Sequence, residues 1–413
     1  MPLLIHNLSQ IATPVGRGAA RGASMRRLTT YDGDAVLVVE RGRFLYVGPR
    51  AEMPREIIVD DDVDARGATA VPGFVDAHTH IAFAGTRESE FNRRLQGETY
   101  EEIAASGGGI ASTVESTRRA SEEQLVENIL AHARLMALHG TTTAEVKSGY
   151  GLDKESELKQ LRAIRAAGER SLVRLVPTCL AAHEFPSGGR DTYVATIVDE
   201  ILPAVAEQRL ATFCDAFVER GVFTREEGES VLRAGAELGL IPRLHADELS
   251  DTDGAALAVE LGAASADHLM HVSERGIEAL ARSTTVANLL PATSFFLMSD
   301  RYAPARALID AGAIVALSTD CNPGSSMTES MPMAMQLATL RMKMTVEESL
   351  TAATLNAAYS LRLSSETGSI ETGKRADFVL LDAPNYLHLV YHFGVNLVRD
   401  VFRDGNCVVR DGR

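Results

Sequence analysis

The chain is poor in the features that mark secreted, membrane-bound or nucleic-acid-binding proteins. It has four cysteines in 413 residues, and Cys179, Cys214, Cys321 and Cys407 are widely scattered without any CxxC pair. That pattern excludes a disulfide framework and reads as reduced thiols. No segment approaches the ~18 consecutive apolar residues needed to span a bilayer. The N-terminal MPLLIHNLSQ lacks the charged start and long apolar run of a signal peptide, so a cytoplasmic location is expected. Positive charge is also scarce. A formal charge of −15 argues against nucleic acid or an anionic membrane as partner. It does not exclude a small anionic substrate, because one local arginine can bind a carboxylate on an acidic protein.

What is present is an ordinary soluble composition, 45% hydrophobic and 23% charged, in a chain long enough for more than one unit. A (β/α)₈ barrel takes roughly 250 residues, so barrel plus appendage is a natural size. The first stretch, residues 1–70, holds short β-like runs at Ala35–Glu40 and Arg43–Val47, with Arg41-Gly42 as a hairpin turn. The far end, residues 363–413, is similar: Phe378–Leu381, Val398–Phe402, then Asp404-Gly405 before Cys407–Arg410. Two strand-rich ends around an α/β middle predict that the termini meet in one small β-sandwich domain.

Residues 71–362 alternate strands and helices. Eight apolar strand candidates are Val71–Asp76, Thr141–Lys147, Arg174–Leu180, Phe213–Val218, Ile241–His245, Ala264–His268, Thr285–Leu290 and Ile314–Thr319. Several helix starts between and after them are legible. Ser121-Glu-Glu-Gln124, Thr224-Arg-Glu-Glu227 and Thr345-Val-Glu-Glu348 all have the spacing of a capping box, and Gly140 and Gly239 read as stops. Eight strand–helix units in series predict an α/β fold built on a closed (β/α)₈ TIM-like barrel.

The strongest local signal is Asp76-Ala-His78-Thr-His80, directly after the first strand. In an extended segment residues i and i+2 point to the same side, so His78 and His80 aim together at the C-terminal mouth of the barrel. Two neutral imidazoles there make half a site for Zn²⁺ or Fe²⁺. His245 closes strand five, His268 closes strand six and Asp320 closes strand eight. A lone histidine is more often a satisfied polar core residue than a ligand. Four histidines and an aspartate at one mouth are a different matter. Strand four, Phe213–Val218 and then Glu219, carries no lysine, and Lys147 ends strand two, the wrong place to bridge two metals. Glu219 reads as a solvated loop carboxylate.

This arrangement resembles the amidohydrolase superfamily. Within it, Phe83-Ala-Gly-Thr-Arg87-Glu-Ser-Glu90, Gly107-Gly-Gly109, Glu145-Val-Lys147-Ser-Gly-Tyr150-Gly151, Ala182-His183, His245-Ala-Asp-Glu248 and Asp320-Cys-Asn322-Pro-Gly324-Ser325-Ser326 resemble the imidazolonepropionase family. The resemblance implies one metal ion per subunit, zinc or iron (Fe²⁺ or Fe³⁺) with zinc favoured, held by His78, His80, His245 and Asp320. It implies hydrolytic ring opening of 4-imidazolone-5-propanoate, with Glu248, His268 and Asp320 handling protons. Arg87 is the implied partner of the substrate carboxylate, and Tyr150, His183, Glu248, Asn322, Gly324 and Ser325 are further substrate contacts. A homodimer is also implied. The triple glycine lacks the Gly-Lys-Ser/Thr ending of a P-loop and reads as a flexible loop over the site. The rival readings are another single-metal hydrolase or deaminase of a small ring and a scaffold that lost its chemistry. Every metal ligand of the motif is present, which speaks against the scaffold.

Overall fold

In the computed structural model, which describes residues 2–98, 102, 108–186 and 189–413, eight parallel strands form a nearly closed barrel. They are Phe74–Asp76, Thr141–Lys147, Arg174–Ala182, Phe213–Val218, the interrupted pair Ile241–Pro242 and Leu244–Ala246, Ser265–His268, Val286–Leu289 and Ile314–Leu317. Each pairs with the next in parallel, in chain order. Closure between strands eight and one comes from beyond their ends. The Asp320 N–H donates to the His78 carbonyl at 3.1 Å, and the His80 N–H donates to the Cys321 carbonyl at 2.9 Å. Asp76 reinforces the seam by accepting from the Thr319 N–H at 3.1 Å and the Thr319 hydroxyl at 2.5 Å.

The apolar run expected as strand one, Val71–Asp76, divides at Gly73. Thr69–Pro72 belongs to a second sheet, where Val71 and Pro72 lie opposite Val379 and Phe378. Only Phe74–Asp76 enters the barrel. The break falls at the turn-forming pair Pro72-Gly73, and the segments on either side are both buried.

That second sheet draws on both ends of the chain. Its order is Asn406–Val409, Val398–Arg403, Phe378–Leu381, Thr69–Pro72, Leu3–Pro14, Leu28–Glu40 and Arg43–Pro49, with Asp61–Asp64 also on Leu3–Pro14. The expected hairpin turns are there. Arg41 and Gly42 have φ of 49° and 77°, and Asp404 and Gly405 have 49° and 74°, the signs that a two-residue type I′ turn requires. Strand periodicity explains how the sheet joins the barrel. Phe378 and Leu380 point into the small domain, where Phe378 stacks on Phe402 with centroids 4.4 Å apart, whereas Val379 and Leu381 point into the barrel's core.

The helices start where the capping residues place them. Ser121, Thr224 and Thr345 each accept from the backbone three residues on, with Gln124, Glu227 and Glu348 reaching back. Gly140 ends the helix Glu122–Leu138 at φ 89° and hands the chain to strand two. Among the described residues no helix is long and apolar enough to cross a membrane.

A side chain at Gly140 would need a left-handed backbone and would sit 2.8 Å from the Phe74 ring. Gly140→Ala is therefore expected to destabilise the protein by about 2 kcal/mol. The midpoint of urea unfolding checks this, and an unchanged midpoint would show that the Phe74 ring yields freely.

Candidate active site

The strand ends bring their histidines to one point. The Nε2 atoms of His78 and His80 lie 3.2 Å apart, and those of His80 and His245 lie 3.4 Å apart. Asp320 Oδ1 is 3.4 Å from Nε2 of both His78 and His80. All four residues are at least 97% buried. Asp320 and His268 sit at φ of 55° and 77°, left-handed conformations that are costly for residues bearing a side chain. The cost is met where strand ends must turn abruptly and still point side chains inward.

The other face of two rings explains their orientation. His78 Nδ1 is 2.7 Å from Asp267 Oδ2, and His245 Nδ1 is 3.1 Å from Asp215 Oδ2. A carboxylate behind Nδ1 keeps the proton there and turns the Nε2 lone pair toward the centre. Lone pairs from several rings then face one another with no proton between them, an arrangement that only a shared cation satisfies well. Even a proton is drawn in. Burial and the Lys147 charge oppose it, yet Asp267 and Asp320 raise His78 to about 9. Nitrogen and carboxylate donors at such spacing suit zinc or iron. His78, His80 and His245 form one ligand-competent group, and His78, His268 and Asp320 form another that shares His78. His268 differs from His78 and His245. Its one carboxylate contact is on the other nitrogen, Nε2, which faces Glu248 Oε2 at 3.5 Å.

Beneath the histidines lies a fully buried layer of charge. Lys147 Nζ donates to Glu145 Oε1 and to Asp215 Oδ2, both at 2.7 Å. Arg243 Nη2 donates to the Ala77 carbonyl at 2.7 Å and to Asp267 Oδ2 at 3.4 Å. Three carboxylates against two cations leave one negative charge, and Asp320 adds a second. A divalent ion above them brings the count to neutral.

Above the histidines opens a cavity of about 330 Å³, which takes in every residue expected to contact substrate: Arg87, Tyr150, His183, Glu248, Asn322, Gly324 and Ser325. The His183 ring stacks on His80 with centroids 5.1 Å apart, and burial lowers its pKa to about 4. Burial lowers His268 to about 3, so it is neutral. The Glu248 carboxyl is pushed up to about 8, by burial first and the Asp320 charge second. Arg87 is held from one edge, with Nε and Nη2 donating to Glu90 Oε2 at 2.9 and 2.7 Å. Of the triple glycine, Gly107 lies outside the described residues. The Gly109 N–H donates to Glu90 Oε1 at 3.0 Å.

Two loops owe their shape to residues that the motifs did not single out. Glu157, buried, accepts from the N–H groups of Gly149, Gly151 and Leu152 at 2.7–3.0 Å, so the segment carrying Tyr150 is wound on one carboxylate. Glu219, far from solvated, accepts from the N–H groups of Leu249 and Ser250 and from the Ser250 hydroxyl, and so fixes the loop after Glu248. Asn322 is spent on its own turn. Its Oδ1 accepts from the N–H groups of Gly324 and Ser325, both at 2.8 Å, and its Nδ2 donates to the Asp320 carbonyl at 2.7 Å. The buried set Glu145, Lys147, Asp215, Arg243 and Asp267 also escaped the motif reading. The available signal was ionisable residues at inward-facing positions of predicted strands, two residues below a site residue in the case of Arg243 and His245.

Comparison with known proteins gives consistent results. Models of the amidohydrolase family match residues 61–176 and 224–408. Imidazolonepropionase from Geobacillus sp. (strain WCH70) is 47% identical, the match covering 100% of this chain and 99% of that one. The enzyme of that name from Symbiobacterium thermophilum is also 47% identical, over 100% and 98%. Among solved structures, a triazine hydrolase variant aligns with a TM-score of 0.79 at 17% identity, over 100% of this chain and 95% of that one. A Xanthomonas campestris adenosine deaminase with bound zinc aligns at 0.72 and 20%, over 99% and 93%. These two show a shared fold.

Asp267→Asn is expected to weaken uptake of a divalent cation about 10–100-fold, the usual cost of losing a carboxylate behind a ligating imidazole. Competition against a chelator measures it. Unchanged uptake would mean that His78 does not hold the ion.

Proposed function

This chain belongs to the imidazolonepropionase family of amidohydrolases, and we infer that it opens the ring of 4-imidazolone-5-propanoate with water to give N-formimidoyl-L-glutamate. In that reaction the water oxygen bonds to the ring carbonyl carbon and the adjacent carbon–nitrogen bond breaks. The nitrogen departs with a proton, and the new carboxylate becomes the α-carboxylate of the product. The observation that carries the reading is the pocket's polarity, with a cation-seeking cluster at its base and a guanidinium at its rim.

His78, His80, His245 and Asp320 are the residues we assign to one metal ion, zinc in preference to iron. The carboxylates behind His78 and His245 support that choice over His268, whose Nε2 is turned to Glu248. The bound ion supplies a water of lowered pKa and polarises the ring carbonyl. Asp320 and His268, both in the cavity wall, would be the two candidate proton acceptors for such a water. The Thr293 hydroxyl donates to Asp320 Oδ2 at 2.6 Å and fixes that carboxylate. Glu248, protonated near neutrality, presents a proton to the departing ring nitrogen. His183 Nδ1 is tied to the Gly149 carbonyl at 3.0 Å, which turns its neutral Nε2 edge to the pocket. Arg87 binds the propanoate. A homodimer in the cytoplasm completes the proposal.

The direct test is to supply 4-imidazolone-5-propanoate to protein of measured metal content and follow both N-formimidoyl-L-glutamate and ammonia. Formimidoylglutamate is expected without ammonia. Ammonia release would place the chain among deaminases.

Glu248 acts here in its protonated form. That form is full below its pKa and is lost as pH rises, so kcat/KM is expected to fall on the alkaline side near or below pH 8. A neighbouring cation offsets the Asp320 contribution and moves the limb down. Glu248→Gln, which cannot titrate, is expected to lower kcat about 10²–10⁴-fold and to remove that limb. A limb that survives the substitution would belong to another group.

A further inference from the structure

We propose that Arg94 is the second arm of a carboxylate clamp, taking one oxygen of the substrate's propanoate while Arg87 takes the other. The proposal rests on the imidazolonepropionase reading of the pocket and adds to it a residue that sets specificity for an anionic side chain.

Helix geometry puts the two arginines on one face. Arg87 caps the helix Glu88–Leu95 and Arg94 follows seven residues later, two turns along, with Glu90 between them. Arg87, Glu90 and Arg94 all line the cavity. Both guanidiniums converge on Gly324. Arg94 Nη2 donates to the Gly324 carbonyl at 3.3 Å. A Cβ on Gly324 would lie 2.3 Å from Arg87 Nη1, so only glycine leaves that space to the guanidinium.

The two arginines differ in what holds them. Glu90 occupies the Nε–Nη2 edge of Arg87 and leaves Nη1 toward Gly324. Arg94 pairs with no carboxylate among the described residues. It is placed instead by aromatic rings, with Cζ 5.6 Å from the centre of Phe91 and 5.4 Å from that of Phe296, and those rings stack 4.7 Å apart. Rings and a carbonyl orient a guanidinium without neutralising it. Two guanidiniums and one glutamate leave a single positive charge at the rim, the complement of one carboxylate. Burial and repulsion by Arg87 lower the Arg94 pKa, and a bridging anion relieves that repulsion.

The test compares two competitive inhibitors with the same ring, 3-(imidazol-4-yl)propanoate and 4-propylimidazole, which has a methyl group in place of the carboxylate. Against wild type, Arg94→Gln is expected to weaken the propanoate by about 10–100-fold and 4-propylimidazole by no more than about twofold. For substrate, KM should rise more than kcat falls. Arg94→Lys should recover part of the loss, because the charge is kept and the planar fork is not. Equal weakening of both inhibitors would mean that Arg94 only supports the pocket's shape, and no weakening of either would also overturn the clamp. Arg87→Gln separates the two levels of the argument. If it discriminates between the inhibitors and Arg94→Gln does not, the clamp alone fails. If neither variant discriminates, the carboxylate binds elsewhere and the assignment of Arg87 falls as well.

Discussion

Five ionisable side chains fill the barrel below the pocket, at a depth where barrels usually carry branched aliphatics. Glu145, Lys147, Asp215, Arg243 and Asp267 are each at least 99% buried, and each would be costly there alone. Together they are tolerable because Lys147 spans two carboxylates and Arg243 sits against a third. Their small surplus of negative charge is what the site above depends on. Asp215 and Asp267 cannot hold the imidazoles of His245 and His78 in one tautomer unless they stay ionised, and at this depth they stay ionised only beside the two cations. His245 and Lys147 keep Asp215 well below the usual carboxylate range against the opposing effect of burial. The charge layer is therefore a positioning device, and its energetic penalty is offset once a cation sits at the histidines.

This dependence explains which parts of the site were legible in the sequence. His78, His80, His245, His268 and Asp320 were found because each is a metal-compatible residue at a strand's C-terminal end, and strand ends follow from hydrophobic pattern. Capping boxes at Ser121, Thr224 and Thr345 were found because three-residue spacing is local. Asp267 and Lys147 were in plain view but carried no pattern: one precedes a histidine, the other ends a strand, and apart from Glu145 their partners lie tens to hundreds of residues away. Glu157 and Glu219 were hidden for the same reason. Each is an isolated glutamate whose role is to accept several backbone N–H groups from a distant or looping segment, and a solvated carboxylate has the same sequence signature. The split of Val71–Asp76 at Gly73 was marked only by the pair Pro72-Gly73, and the buried half-strands on either side of it read as one apolar run.

Backbone strain marks the same boundary between pattern and function. Asp247, His268 and Asp320 adopt positive φ at or just past strand ends. Asp247 shows how such a turn is held, its carboxylate accepting from the N–H groups of Thr252, Gly254 and Ala255 at 2.9–3.0 Å. His268 and Asp320 have no such local compensation in their side chains, which face the pocket. At Asp320 the turn is held by the seam that closes the barrel, through the Asp320–His78 and His80–Cys321 backbone bonds. Closing the barrel and aiming His78, His80 and Asp320 are thus one structural event.

A chain of net charge −15 must still attract an anion. Long-range attraction cannot do it, since the global field has the wrong sign and is screened within about 10 Å at ordinary salt. The solution is local and layered. Glu248, in the cavity wall beside His268, has its carboxyl pushed up to about 8, and a protonated carboxyl does not repel an incoming carboxylate. Asp320 is ionised, but the site pairs it with positive charge. At the rim, Glu90 cancels one guanidinium and fixes its direction, leaving the net charge of one arginine spread over two donors facing Gly324. In the proposed reading, a substrate with a neutral ring and one anionic tail matches this charge pattern with its tail at the rim and its ring over the histidines. On the proposed assignment, the charge arrangement that admits the molecule is also the one that sets its orientation.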